Sequence, residues 1–286
     1  MKQGIAIGFC LLLGCASATA HAGANDVRKT AEATMLVTGT VQANPDGTVN
    51  GYSLDQSDKL PASVVEAINR DMAHWTLTFD GKPASVITSK MSVRVVAEPI
   101  DDKSFRIVIA GESFGDYDNR SRTTLTYKAR PAPSYPREAI NWGVSGTAYL
   151  LIRVGRDGKV QELVAEQVNL DQYGAEHDMD RFRKMLADAA LRAAKTWTFN
   201  APTEGKDANA PYWDVRVPVV YDLGTYGGPK AHKGYGSWDV YIPGPRQNAP
   251  WVKDQALLTG APDALPDGAL QMMGSGPRLT SPPSGG

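Results

Sequence analysis

A few stretches of this chain carry side chains whose types and spacing could do chemistry. His177-Asp178-Met179-Asp180 sets an imidazole beside two carboxylates, reasonable ligands for a transition metal. That spacing matches no specific metal site, and the segment lies in a polar loop before a helical period, where Asp180 reads as an N-cap. His74 stands next to Trp75 where a helix hands over to a strand, and Asp101-Asp102 reads as a turn between strands and not as a carboxylate dyad. There is no Gly-x-Ser-x-Gly, no phosphate loop and no histidine-rich zinc motif. Both cysteines, Cys10 and Cys15, fall in the first fifteen residues, so the rest of the chain has no disulfide framework and no thiolate site. These residues predict no enzyme, no metal and no cofactor.

The elements that position the remaining residues begin behind an export signal. Lys2 supplies the positive end, Ile5 to Leu13 the apolar run, and Ala20-His21-Ala22 the small residues read at a cleavage site, which assigns residues 1–22 to a signal peptide. Leu12-Leu13-Gly14-Cys15 offers a second outcome, because it resembles a lipobox in which Cys15 becomes an acylated N-terminus. Either outcome puts the folded part in the periplasm. The apolar run has about half of the roughly 20 residues that a spanning helix needs. A formal net charge of -1 gives no electrostatic reason to expect nucleic acid. With 286 residues, 42% of them hydrophobic and 21% charged, the chain has room for about two domains at roughly 100 to 200 residues each.

Internal similarity organises those domains. Asp46-Gly47-Thr48-Val49 and Asp157-Gly158-Lys159-Val160 each follow an apolar strand-like run, and Asp-Gly between such runs signals a hairpin. A helical period follows in each copy: Val64, Val65, Ile68 and Met72 in the first, then Phe182, Met185, Leu186, Ala189, Ala190 and Ala193 in the second. Each ends on a tryptophan, Trp75-Thr76 or Trp197-Thr198, and at identical spacing beyond it stands Val93-Arg94-Val95 or Val215-Arg216-Val217. Ser104 to Ala110 and Thr123 to Lys128 alternate as two further strands, assigned to the sheet of the first unit, with Arg130-Pro131-Ala132-Pro133 as the linker. The fold class is therefore α+β: two small antiparallel-sheet units, each with one packed helix, over residues 31–130 and 131–223. Residues 224–286 are rich in glycine and proline and predict an irregular tail, docked in part near the second unit and disordered over 260–286.

The second unit resembles a known family. Pro133-Ser134-Tyr135-Pro136, Ala139, Gly143, Gly146-Thr147, the Asp157-Gly158 turn, Trp197-Thr198-Phe199 and Val215-Arg216-Val217-Pro218-Val219-Val220-Tyr221 follow the order of the TonB C-terminal domain. Residues 34–98 read as a diverged copy. Tyr135, Pro136, Gly146, Asp157, Gly158 and Trp197 are its motif residues here, and Trp197, like Trp75, reads as a core anchor. The resemblance implies a peptide-binding module in which the Ton box of an outer-membrane TonB-dependent transporter adds as a strand to the last strand, here Val215 to Tyr221. Pro218 fits such an edge strand, and it fits equally an edge blunted against aggregation. Ala132 stands where the family often has a glutamine that touches the partner. The sequence predicts neither the family's uncleaved membrane helix nor its proline-rich spacer, so the resemblance extends to binding and not to energy transduction. The alternative reading is a scaffolding envelope protein in which the tandem units occupy each other's edges and no transport role remains.

Overall fold

The computed structural model describes residues 22–79, 81–101, 103–115, 119–224, 234–253 and 260–280. Cys10, Cys15 and the leader up to His21 lie outside the described residues, as does Asp102. No helix among the described residues is long and apolar enough to cross a membrane.

A short helix α1 (Ala24–Arg28) leads into the first unit, made of β1 (Glu32–Ala43), β2 (Val49–Leu54), α2 (Ala62–Met72), β3 (Leu77–Thr78), β4 (Ile87–Asp101) and β5 (Ser104–Phe114). Burial along β1 alternates over much of its length, as expected for a strand with one face on a core. β1 pairs antiparallel with β2 on one side and β4 on the other, and β5 extends the sheet beyond β4. Pro61, whose ring presets φ, precedes α2, and Val64, Ile68 and Met72 then pack on Met35, Val37, Val93 and Val95.

The second unit has a similar order of strands and helices. It contains β6 (Thr126–Ala129), α3 (Arg137–Asn141), β7 (Gly146–Gly155), β8 (Val160–Leu170), α4 (Glu176–Ala194), β9 (Thr198–Asn200) and β10 (Tyr212–Tyr221). β7 is central, between β8 and β10. The α4 residues Met179, Phe182, Leu186 and Ala190 share one core with Leu150, Ile152, Val215 and Val217.

The two hairpin turns are alike in detail. Asp46 Oδ1 accepts the Thr48 N–H at 3.0 Å, and Asp157 Oδ1 accepts the Lys159 N–H at 3.1 Å. Each turn glycine accepts a backbone N–H from the strand after its tryptophan, Leu77 to Gly47 at 2.8 Å and Phe199 to Gly158 at 2.9 Å. Both glycines have positive φ, and a Cβ there would meet a carbonyl oxygen at 2.0 Å on Gly47 or 2.2 Å on Gly158. Only glycine satisfies both conditions.

Three expectations are corrected. The sequence places β6 in the first sheet, but it pairs with β9 of the second unit, and Leu125 just before it joins that unit's core. Alternation identifies a strand without identifying its partner. α4 starts at Glu176 with Ala175 as its N-cap, so the His177–Asp180 segment is helical and Asp180 caps nothing. The tail is the largest difference. β11 (Asp239–Tyr241) pairs with the start of β1, a 3₁₀ turn covers Pro262–Ala264, β12 (Gln271–Met272) pairs with β10, and β13 (Arg278–Leu279) pairs with β3. Residues 260–280 are docked across both units, not disordered. Ala264, Leu265, Ala269, Leu270 and Met272 are all buried, and these apolar residues between the glycines anchor the segment.

Candidate peptide-binding edge

The expected binding strand is β10, and the period of two divides its side chains between two faces. Val215, Val217, Val219 and Tyr221 enter the core under α4. Asp214, Arg216, Pro218 and Val220 face the other way, and of these only Val220 is largely exposed, at 40%.

That second face carries two ion pairs, one part-buried and one fully buried. Arg153 grips Asp214 bidentately at 2.9 and 2.8 Å, and the Trp251 indole N–H adds a bond to the same carboxylate at 3.1 Å. Arg216 grips Glu166 of β8 at 2.6 and 2.8 Å with both side chains 1% exposed, and Arg246 from the tail donates to the same carboxylate at 2.7 Å. Arg94 holds the equivalent place in the first unit. It pairs with Glu32, with Asp263 of the tail at 3.2 Å and with the Tyr241 hydroxyl at 2.7 Å. In both Val-Arg-Val stretches the valines feed the helix-covered core and the arginine binds carboxylates beneath the tail.

The backbone edge of β10 decides whether it can receive a strand. One side is paired with β7 along the whole strand. On the other side β12 pairs only with Val215 and Arg216, and the Met273 N–H donates to the Asp214 carbonyl at 2.8 Å. Val217 to Tyr221 have no ladder partner on that side among the described residues. Pro218 brings no N–H there, and its carbonyl accepts from Arg130 Nη2 at 3.1 Å. The edge is thus occupied at its first half and unladdered at its second.

The motif residues brace this strand. The Tyr135 hydroxyl donates to the Val144 carbonyl at 2.5 Å, and its ring meets Tyr221 edge-on at 5.4 Å. Pro136 is the N-cap of α3, and Gly146 opens β7 opposite Tyr221. Trp197 is 1% exposed and donates its indole N–H to the Pro131 carbonyl at 3.0 Å, while Arg130 lies 5.0 Å over its ring. The linker is therefore seated on the tryptophan. His74 and His177 are exposed and lie far apart in sequence, and no group of three metal-ligating side chains occurs among the described residues. Sequence reasoning missed Arg130 and the tail segment Leu270 to Met273. A short apolar run inside a glycine- and proline-rich stretch was the available signal.

A 99-residue stretch is 32% identical to Protein TonB of two strains of Xanthomonas campestris pv. campestris, B100 and ATCC 33913. The chain carries a TonB-like region. This TonB-like region is 35% of the chain, and the match spans only 38% of the relatives' length. No family model and no solved structure matches the chain.

One neighbour of the tail contact titrates near neutrality. Glu112 on β5 precedes Ser113, whose hydroxyl accepts from Gln271 Nε2 at 2.7 Å. Its Oε2 is buried without a hydrogen-bond partner, and burial pushes its pKa up from 4.5 to about 7. The folded state thus holds a proton that the unfolded chain has released, so this carboxyl costs stability progressively as pH rises from 4.5 to 7 and in full above that. Glu112→Gln is expected to raise the midpoint of thermal unfolding at pH 8 and to leave it nearly unchanged at pH 4.5. Calorimetry at the two pH values checks the difference.

Proposed function

We propose that this chain is an exported, TonB-like envelope protein that binds an extended peptide segment of a partner by β-augmentation on the outer edge of β10. The observation that carries the reading is that this edge already accepts an added strand, β12, beside Val215 and Arg216. Main-chain pairing supplies affinity in such complexes, and pockets for alternate side chains supply specificity. The TonB-like region supports an outer-membrane TonB-dependent transporter as the partner and the periplasm as the location. Cleavage after Ala22 and lipidation at Cys15 remain the two routes to that location. The shared turn geometry and sheet order support reading residues 34–98 as a diverged copy of the binding unit. In that copy β5 fills the edge that β10 leaves partly open, which favours a structural role for the first unit.

A scaffolding role for the whole chain is the second reading, favoured by tail strands that pair with both units. Titrating isotope-labelled protein with Ton-box peptides separates the two. Peptide binding by β10 predicts amide shifts concentrated on Val215 to Tyr221, whereas a scaffold predicts none there.

A further inference from the structure

The docked tail is also a sample of what the β10 edge accepts. Leu270 and Met272 are 6% and 5% exposed and enter the core that holds Val215 and Val217, while Gln271 between them stands opposite Arg216 and donates its amide to Ser113. The pattern is apolar, amide, apolar in an extended strand. A charged residue at this part-buried middle position would stand opposite an Arg216 whose charge Glu166 already takes up, so its desolvation would be poorly offset. The contact is also short. β7 holds all ten residues of β10, but β12 holds two, and Gly268 and Gly274 bound the tail segment with φ of 75° and 73°. Glycines in the left-handed region let the chain turn sharply on and off the edge.

We propose that Ala269–Met273 is an intramolecular occupant of the peptide-receiving edge, displaced by a partner segment of the same class: extended, uncharged at its centre, with an amide side chain flanked by two apolar ones. This deepens, and rests on, the β-augmentation reading. The partner would enter beside Val217 to Tyr221, where the edge has no ladder, and extend toward Val215 as the tail segment leaves.

The test uses the full chain with Cys10 and Cys15 replaced by serine and with Val215→Cys and Met272→Cys added. These residues are direct antiparallel partners, about 4.5 to 5.5 Å apart at Cα in such ladders, within disulfide reach. The probes are a peptide copying Gly268 to Ser275 and the same peptide with Gln271→Glu. The reduced chain is expected to bind the first peptide at least ten-fold more tightly than the oxidised chain and more tightly than it binds the glutamate version. Equal binding by the oxidised and reduced chains, with shifts confined to Val217–Tyr221, would overturn the displacement proposal and leave the function standing. No binding by either form, while the Arg216 amide exchanges faster on reduction, would overturn both. A Met273→Pro chain, which loses the N–H that bonds the Asp214 carbonyl, gives a second comparison free of the disulfide.

Discussion

Glu166→Ala is expected to destabilise the chain by about 3–5 kcal/mol, the cost of leaving a buried charge without its partner. Glu166 and Arg216 are each 1% exposed, and their two contacts of 2.6 and 2.8 Å are joined by Arg246 from the tail. Removing the carboxylate strands Arg216 inside the sheet and loosens Arg246, so two elements lose their anchor together. The double replacement Glu166→Leu with Arg216→Met removes both charges at similar volume and is expected to restore most of the loss. Urea unfolding of the three chains reads the difference. A loss below 1 kcal/mol for Glu166→Ala would mean that water reaches the pair.

Trp197→Ala should be comparably severe, about 3–5 kcal/mol for a large aromatic side chain removed from a packed core. The ring is 1% exposed and meets Tyr127 edge-on at 6.1 Å, with Phe199 on the same core and Arg130 over its face. A further consequence separates this site from an ordinary core position. The indole N–H holds the Pro131 carbonyl, and Arg130 in turn donates to the Pro218 carbonyl on β10. Trp197→Phe keeps most of the apolar volume and drops that hydrogen bond, so it is expected to cost less in unfolding free energy while raising amide exchange in residues 129–132.

Most of this architecture is legible in the sequence because its signals are local. Asp-Gly turns, a helical period closing on tryptophan, and the Val-Arg-Val stretches place β1, β2, α2, β4 and their counterparts, since each depends on neighbours along the chain. What sequence reasoning misplaced depends on distant partners. β6 alternates like any edge strand, and nothing in Thr126 to Ala129 says that its partner is β9 rather than β5. The tail misled for a different reason. Glycine and proline density signals the absence of regular structure, and the tail is indeed irregular, but Leu270 and Met272 are enough to bury it. The ion pairs were equally hidden: Arg216 reads as a polar residue in an apolar strand, and Glu166 lies fifty positions away. In the candidate site itself, the strand was identifiable from the sequence, and its partial occupancy by the chain's own tail was not.

Hydrogen–deuterium exchange along β10, with and without an excess of a partner-strand peptide, tests the central claim most directly. Augmentation predicts that the Val220 amide, which points to the unladdered side, becomes protected when the peptide is present, while amides in β8 keep their rates. Protection elsewhere in the chain with β10 unchanged would contradict it.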